Sequence, residues 1–260
     1  MGLSRIGWFS FAGITVTNLD FDLATPKLVS IDRPCSPTMQ YDEFTAPYRH
    51  GSRYYDNRYD DLEIKVVIGF NGTATERQAK ITNLLQQWIG KEDKLIFADR
   101  PNLFYKARFY KSVTSKDSGT FTQITITFIA SFCLYELNYD ETDFNNDIPI
   151  RAIYTSSGTY PIRNHGQVEA HSVIEITGVA SNVILTFRDA GFNLSNLDGT
   201  VYIDSEDMVV YSLNENNKKV SKMLNFKGKF PMIVVGDSNL TVSITGTATI
   251  KLRFRNTYIV

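Results

Sequence analysis

One stretch of this chain reads clearly as helix, and it limits everything around it. Residues Thr73 to Gly90 run TATERQAKITNLLQQWIG, with Ile81, Leu84, Leu85, Trp88 and Ile89 at i, i+3, i+4, i+7 and i+8. That spacing puts the five side chains on one helical face. Thr73 with Glu76, and Thr75 with Gln78, both have capping-box spacing, and Gly90 stands where a left-handed residue closes a helix. No comparable signal occurs elsewhere in the 260 residues. A lone helix with one apolar stripe must bury that stripe against another element. The flanking runs, Leu62–Phe70, Lys94–Ala98 and Phe104–Val113, read as strands. The first half is therefore expected to be a sheet system built around one helix, about residues 75–89.

The remaining patterns are also β. Trp8–Phe11, Ile14–Val16 and Leu28–Ile31 are short apolar runs with turns at Gly13 and near Pro26. The segment Asp32–Gln40 carries two prolines and reads as a connection. Cys35 lies in it as an inert or buried thiol, with no family signature or nearby His to activate it. Asp99-Arg-Pro-Asn102 and Ser115–Gly119 are turn sequences. In Phe121–Tyr135, Ile124, Ile126 and Phe128 share one face and Thr125 and Thr127 the other. From Ile148 onward no strong helix appears. Short runs such as Val173–Thr177, Val183–Phe187, Val201–Asp204, Leu240–Ile244 and Ala248–Phe254 are punctuated by Gly, Asn and Asp, the pattern of a β-sandwich. Between them, ELNYDETDFNND is acidic and polar. It divides the chain into an expected first domain, 1–136, a linker, 137–147, and a second domain, 148–260. The linker's Asp140, Glu141, Asp143 and Asp147 lack the turn glycine and closing Glu of a calcium loop.

Composition narrows the function classes. With 27 basic and 28 acidic residues and a net charge of −1, no general field favours nucleic acid. Two cysteines in a chain of this length suit synthesis in a reducing compartment. No apolar run reaches the roughly 18 residues of a membrane span, so no membrane partner is expected. No secretory leader is read at the N-terminus, and the myristoylation pattern fails at Ile6. The sequons at Asn71, Asn193 and Asn239 read as ordinary turn and strand residues. The three histidines, His50, His165 and His171, have no zinc spacing. Nucleophile elbow, P-loop and dinucleotide motifs are absent, and the acidic pairs Glu92-Asp93 and Glu206-Asp207 are sequence neighbours that a strand would split between its faces. No catalytic, cofactor or metal residue is assigned, and no enzyme activity is expected.

The segment Tyr48–Asp61 is the unusual one. Tyr48, Arg49, Arg53, Tyr54, Tyr55, Arg58 and Tyr59 interleave the two residue types enriched at protein interfaces, while Asp56, Asp60 and Asp61 cancel the arginine charge. These seven residues are the candidate contacts of an interface loop or hairpin arm; the alternative readings are a solvated loop, or a contact in which the interleaved Arg and Tyr clamp single-stranded nucleic acid.

The order of features also resembles a known family. Strand LEIKVVIGF precedes helix ERQAKITNLLQQWIG, then KLIF, ADRPNLFYKARF and a strand ending FIASFCLYE. The second half carries NHGQVEAHSVIEITG, GTVYIDSED and GDSNLTVSITGTATIKLRFRNTYI. This series is similar to the distal tail proteins of long-tailed phages of Gram-positive hosts. One departure lies in the arm, where Arg49-His50-Gly51-Ser52 stands for the family's Gly-Arg-Asp-Gly-like turn. The resemblance implies a mainly β protein: an N-terminal β-sandwich or split-barrel-like domain with one helix and a hairpin arm, then a C-terminal galectin-like or carbohydrate-module-like sandwich. It implies a homo-hexameric ring in the baseplate of the virion tail tip, assembled in the host cytoplasm. The ring would join the tail tube protein to the tail-tip protein, with a receptor-binding protein or a cell-wall glycan as a further partner. The alternative reading is a carbohydrate-binding module for host cell-wall glycans, stacking sugars on aromatics such as Phe192 or Phe230.

Overall fold

The computed structural model describes residues 7–17, 26–44, 53–137, 148–188 and 190–259, with residues 41–44, 53–58 and 115 described by their backbone alone. The chain forms two compact units, residues 1–135 with 259–260, and residues 136–258. Apart from Leu137, the expected linker lies outside the described residues.

In the first unit the strands are β1 (Trp8–Phe11), β2 (Ile14–Thr17), β3 (Lys27–Asp32), β4 (Met39–Phe44), β5 (Arg53–Tyr59), β6 (Leu62–Asn71), β7 (Glu92–Phe97), β8 (Leu103–Ser118) and β9 (Phe121–Glu136), with helix α1 (Ala74–Trp88) between β6 and β7. Seven of them pair in the order β9-β6-β3-β2-β1-β7-β8, and β8 pairs back onto β9. The sheet therefore closes, and closure removes the exposed edges that an open sheet must protect. Of the sandwich and split barrel that the sequence leaves open, this is the barrel. Among the described residues β2 and β3 run parallel and meet at the pair Thr17↔Lys27.

Alternation explains the core. On β6, Leu62, Ile64, Val66, Ile68 and Phe70 are buried, and Ile124, Ile126, Phe128 and Ala130 answer them from β9. Trp88 is fully buried and lies 5.9 Å from each of Phe9, Phe11 and Phe128. The capping box is the Thr73/Glu76 pair, and Gly90 takes φ +75°. Two details differ from the periodicity. Ile89 caps the helix and is 61% exposed, because the last turn ends at Trp88 and its side chain falls past the buried face. Arg77 is buried on the same face as Ile81, Leu84 and Trp88. The expected turn at Ser115–Gly119 also moves: β8 runs on to Ser118, and Gly119-Thr120 makes the turn.

The second unit corrects the reading of many short strands. Val173–Thr177 and Val183–Phe187 lie on β12 (Ala170–Thr186) but for Phe187, which follows its end. Leu240–Ile244 and Ala248–Phe254 belong to β18 (Gly236–Phe254). With β13 (Gly191–Asp204) they form the spine of a nine-stranded sheet that also holds β10 (Ile150–Tyr154), β11 (Gly158–Asn164), β14 (Val209–Leu213), β15 (Lys219–Ser221), β16 (Phe226–Gly228) and β17 (Met232–Ile233). The glycines mark bends inside these strands. Gly178 has φ +151° and sits opposite Gly199 and Ala248, where an added Cβ would lie 2.2 Å from the Thr247 carbonyl oxygen. Two residues on, Gly246 faces Ala180 across a bulge with equally little room. Because all three strands bend at one level, residues on either side of it enclose one core. Ile174, Ile203 and Leu252 from one half meet Val183, Phe192 and Val242 from the other. The two layers of this sandwich are thus made by strands that cross from one to the other.

Candidate interaction surface

β4 and β5 pair only with each other, so they form a two-stranded hairpin separate from the barrel. Met39 stands opposite Tyr59, Gln40 opposite Arg58 and Phe44 opposite Arg53, with a bulge between Tyr41 and Asp42 that re-aims the strand. The expected arm is therefore longer than the Tyr48–Asp61 segment, because Met39–Phe44 supplies its other strand. Alternation of Met39, Tyr41 with Gln40, Asp42 signals that strand, but the prolines before it mask the signal.

The sequence-derived contact residues fall in three groups. Tyr48 and Arg49 lie outside the described residues. Arg53, Tyr54, Tyr55 and Arg58 are register positions of β5. Tyr59 is at the root, 38% exposed, with its ring 4.9 Å from that of Phe132 on β9. The root is fixed further by the Asp60 N–H, which donates to the Thr38 carbonyl at 2.9 Å, and by Gln40 Nε2, which donates to Asp60 Oδ2 at 3.1 Å. Arg33, just before the arm, forks onto Asp99 at 2.5 and 3.3 Å, and its guanidinium lies 4.9 Å from the Phe97 ring centre. Burial pushes the Asp99 carboxyl up, but the hydrogen bond and charge of Arg33 outweigh it and leave Asp99 below the usual carboxylate range. Tyr59, Arg33 and Asp99 anchor the arm; Asp99 belongs to the turn sequence Asp99-Arg-Pro-Asn102, whereas its partner Arg33 stands in no motif that sequence reading could use.

The chemistry elsewhere is structural. Arg77 donates from Nε to the Thr122 hydroxyl at 2.6 Å, from Nη1 to the carbonyls of Gly72 and Gly119 at 2.7 and 2.8 Å, and from Nη2 to Asp117 at 3.2 Å. It ties the helix start to the β8–β9 turn, beside a cleft of about 360 Å³ lined by Gln78, Ile81, Val113 and Ile124. Within NHG, Asn164 Nδ2 donates to the carbonyls of Val168 and Ile233, and its Oδ1 accepts from the Gly166 N–H. Both cysteines are free thiols; Cys35 is exposed rather than buried, and burial pushes the Cys133 thiol up to about 11. Among the described residues no three His, Cys, Asp or Glu side chains converge on a metal position. Nor do the proposed sugar-stacking aromatics stand free. Phe192 is in the core, and Phe230 stacks 4.8 Å from Phe226. The sequon asparagines lie in strands: Asn71 ends β6, and Asn193 and Asn239 sit inside β13 and β18.

Among the described residues the first unit is a closed barrel with one helix and a two-stranded hairpin, and the second is a sandwich built on three long strands. Residues 15–130 match the family model of the phage tail protein RIFT-related domain. Across 98% of this chain and 100% of the other, the fold is similar to the Dit (gp 19.1) protein of phage SPP1, a hub of the adsorption apparatus in phages infecting Gram-positive bacteria, with a TM-score of 0.71 at 12% identity. It is also similar to chains of the phage P2 baseplate in its activated conformation. With Ca the TM-score is 0.55 at 8% identity over 98% of both chains; with Sr it is 0.54 at 8% identity over 96% and 97%. No curated protein sequence matches the chain. The resemblance to distal tail proteins read from the sequence is thus carried by the fold over nearly the whole chain.

Proposed function

We propose that this protein is the distal tail hub of a long-tailed phage. It forms a homo-hexameric ring that joins the tail tube protein to the tail-tip protein and the adsorption apparatus. The observation that carries the reading is the full-length fold match to the SPP1 hub, covering both units. The first domain, about residues 1–136, makes the ring, and the domain from about residue 148 is a galectin-like sandwich. A closed barrel suits this role, since it offers side chains rather than raw strand edges to its neighbours. A ring requires one patch to meet a different patch on the next subunit. The arm residues Tyr48, Arg49, Arg53, Tyr54, Tyr55, Arg58 and Tyr59 supply one of them, with large aromatic area and forked hydrogen bonding to carboxylates. The protein acts in the virion tail after assembly in the host cytoplasm, and catalyses nothing. A receptor-binding protein or cell-wall glycan is the outer partner.

Native mass spectrometry of the purified chain, alone and with tail tube protein, tests this. The expected result is a six-subunit species, formed directly or on the tube. A chain that stays monomeric at every concentration, with no ring on added tube protein, overturns it.

A further inference from the structure

Between Asn216 and Gly236 the chain has no Asp or Glu but five lysines, Lys218, Lys219, Lys222, Lys227 and Lys229, in a protein whose net charge is −1. This segment runs along the outer margin of the second unit's sheet: β15 is the last strand of the order, and β16 lines β13. It also shows aliphatic side chains to solvent. Leu224 is 96% exposed, and Val220, Met223 and Leu213 are exposed beside it in sequence or on the paired strand.

The exposure of Leu224 is built in. The 3-10 turn Met223–Asn225 that carries it is held on both sides. The Lys222 N–H donates to the Val210 carbonyl at 2.8 Å, the Asn225 N–H to Lys222 at 3.0 Å, and Ser195 Oγ to the Asn225 carbonyl at 3.3 Å. Phe226, the next residue, is buried between Phe192 and Phe230, at 5.2 and 4.8 Å. The held turn therefore shows a leucine and a methionine to solvent, with lysines on both sides of it in sequence; of these, Lys219 sets its ammonium 4.4 Å from the Tyr211 ring centre.

Lysines on an edge strand guard against unwanted strand pairing, and that accounts for β15. It leaves an almost fully exposed leucine on the adjoining turn without a reason. The composition narrows the occupant. Protein interfaces favour Arg, Tyr and Trp and are depleted in Lys. Single-stranded nucleic acid needs free aromatic faces, and Phe226 and Phe230 stack on each other. Exposed aliphatic tips on a margin rich in lysine and free of acidic residues are what an anionic lipid surface takes: the tips enter the headgroup boundary while the flexible lysine stems bring their ammonium groups to the phosphates.

We propose that the Lys218–Lys229 margin is a peripheral docking surface for anionic phospholipid. Such a contact needs no spanning helix, so the absence of a long apolar run is silent about it. The reading stands on the second unit alone and does not depend on ring formation.

The test is co-sedimentation of the full chain with vesicles of phosphatidylcholine, with and without phosphatidylglycerol. Binding is expected only when phosphatidylglycerol is present, and added salt should weaken it. Leu224→Asp should weaken binding roughly tenfold by removing the buried aliphatic tip. Lys222→Glu with Lys227→Glu should weaken it by at least about 25-fold, at about fivefold per lysine. Val179→Asp, on a residue 67% exposed at the Gly178 bend, should leave binding unchanged. All these sites are on the surface, and thermal melting confirms that each variant is folded. Failure to bind phosphatidylglycerol vesicles overturns the proposal. So does binding indifferent to Leu224→Asp, which assigns the patch to charge alone, or equal capture by soluble poly-glutamate, which assigns it to an acidic protein.

Discussion

Arg77 lies on a helix face otherwise made of Ile81, Leu84 and Trp88, and only 5% of it is exposed. A buried guanidinium is tolerated when its donors are satisfied, and here the acceptors come from Thr122, Gly72, Gly119 and Asp117. Arg77→Ala leaves two carbonyls and a hydroxyl without their donor at a part-buried site beside the cleft, and should cost about 1–3 kcal/mol in urea unfolding. Arg77→Lys should recover only part of that, since a single ammonium cannot fork to acceptors on both sides. The same network sets a pH dependence. The Thr122 hydroxyl donates to Asp117 at 2.6 Å and, against some desolvation and with help from the Arg77 charge, holds that carboxyl below its ordinary range. A carboxyl with a lowered folded pKa stabilises the protein above its unfolded value, about 4, and loses that contribution as the pH falls through the folded value. The wild type should therefore lose stability below about pH 4 more steeply than Thr122→Val, in which Asp117 returns upward. Equal acid slopes for the two proteins would remove Asp117 from the account. Reading the helix by its apolar spacing could not find Arg77, because a charge on the inner face is visible only once its acceptors, 40 to 45 positions away along the chain at Asp117, Gly119 and Thr122, are in place.

The helix illustrates what local pattern can settle. Its period, its capping box and Gly90 all act within a few residues, so sequence was enough to find it to within a residue of Ala74–Trp88. The indole of Trp88 makes the packing testable. It is fully buried among Phe9, Phe11 and Phe128, yet its Nε1–H has no hydrogen-bond partner among the described residues. Trp88→Ala should cost about 3–5 kcal/mol by opening a cavity. Trp88→Phe should cost distinctly less, because the lost volume is partly offset by removing an unpaired donor. A loss below about 1 kcal/mol for the alanine variant would mean that the cavity collapses freely, contrary to an interior held by three other rings. The strands of the second unit were legible in composition but not in length. Glycine near residues 178 and 246 reads as a turn when only neighbours in sequence are considered. Register shows otherwise, since Gly178 lies opposite Ala248 and Gly246 opposite Ala180, and the backbone bends without stopping. Likewise the connection expected over Asp32–Gln40 ends in Met39 and Gln40, which begin β4, and pairing with β5 makes that strand half of a hairpin.

At the scale of the molecule, the arm and the two units must be separable from each other if they do different work. The segment ELNYDETDFNND is polar and acidic, and the chain divides into compact units next to it, between Tyr135 and Glu136. Limited proteolysis should therefore cut first within residues 137–147 and leave two folded fragments, whereas a first cut inside β12 would count against two independent domains. The arm can be removed with its root left in place. β4 and β5 share no ladder with the barrel, and the contact of Tyr59 with Phe132 lies at the base, at 4.9 Å. Replacing residues 41–58 by a short Gly/Ser loop keeps Tyr59, the Gln40–Asp60 bond, the Arg33–Asp99 fork and every pairing of the closed sheet. Melting of the first unit should thus shift by only a few degrees, the scale of about 1 kcal/mol. If the arm's tyrosines and arginines bridge to a neighbouring subunit or to the tube, the shortened protein should lose the six-subunit species or its docking, with both units still folded. An intact ring with normal tube docking after the deletion would free the arm of that role while leaving the hub in place. Loss of folding with the arm would instead make the hairpin part of the barrel's own stability, which the closed pairing order from β9 round to β8 argues against.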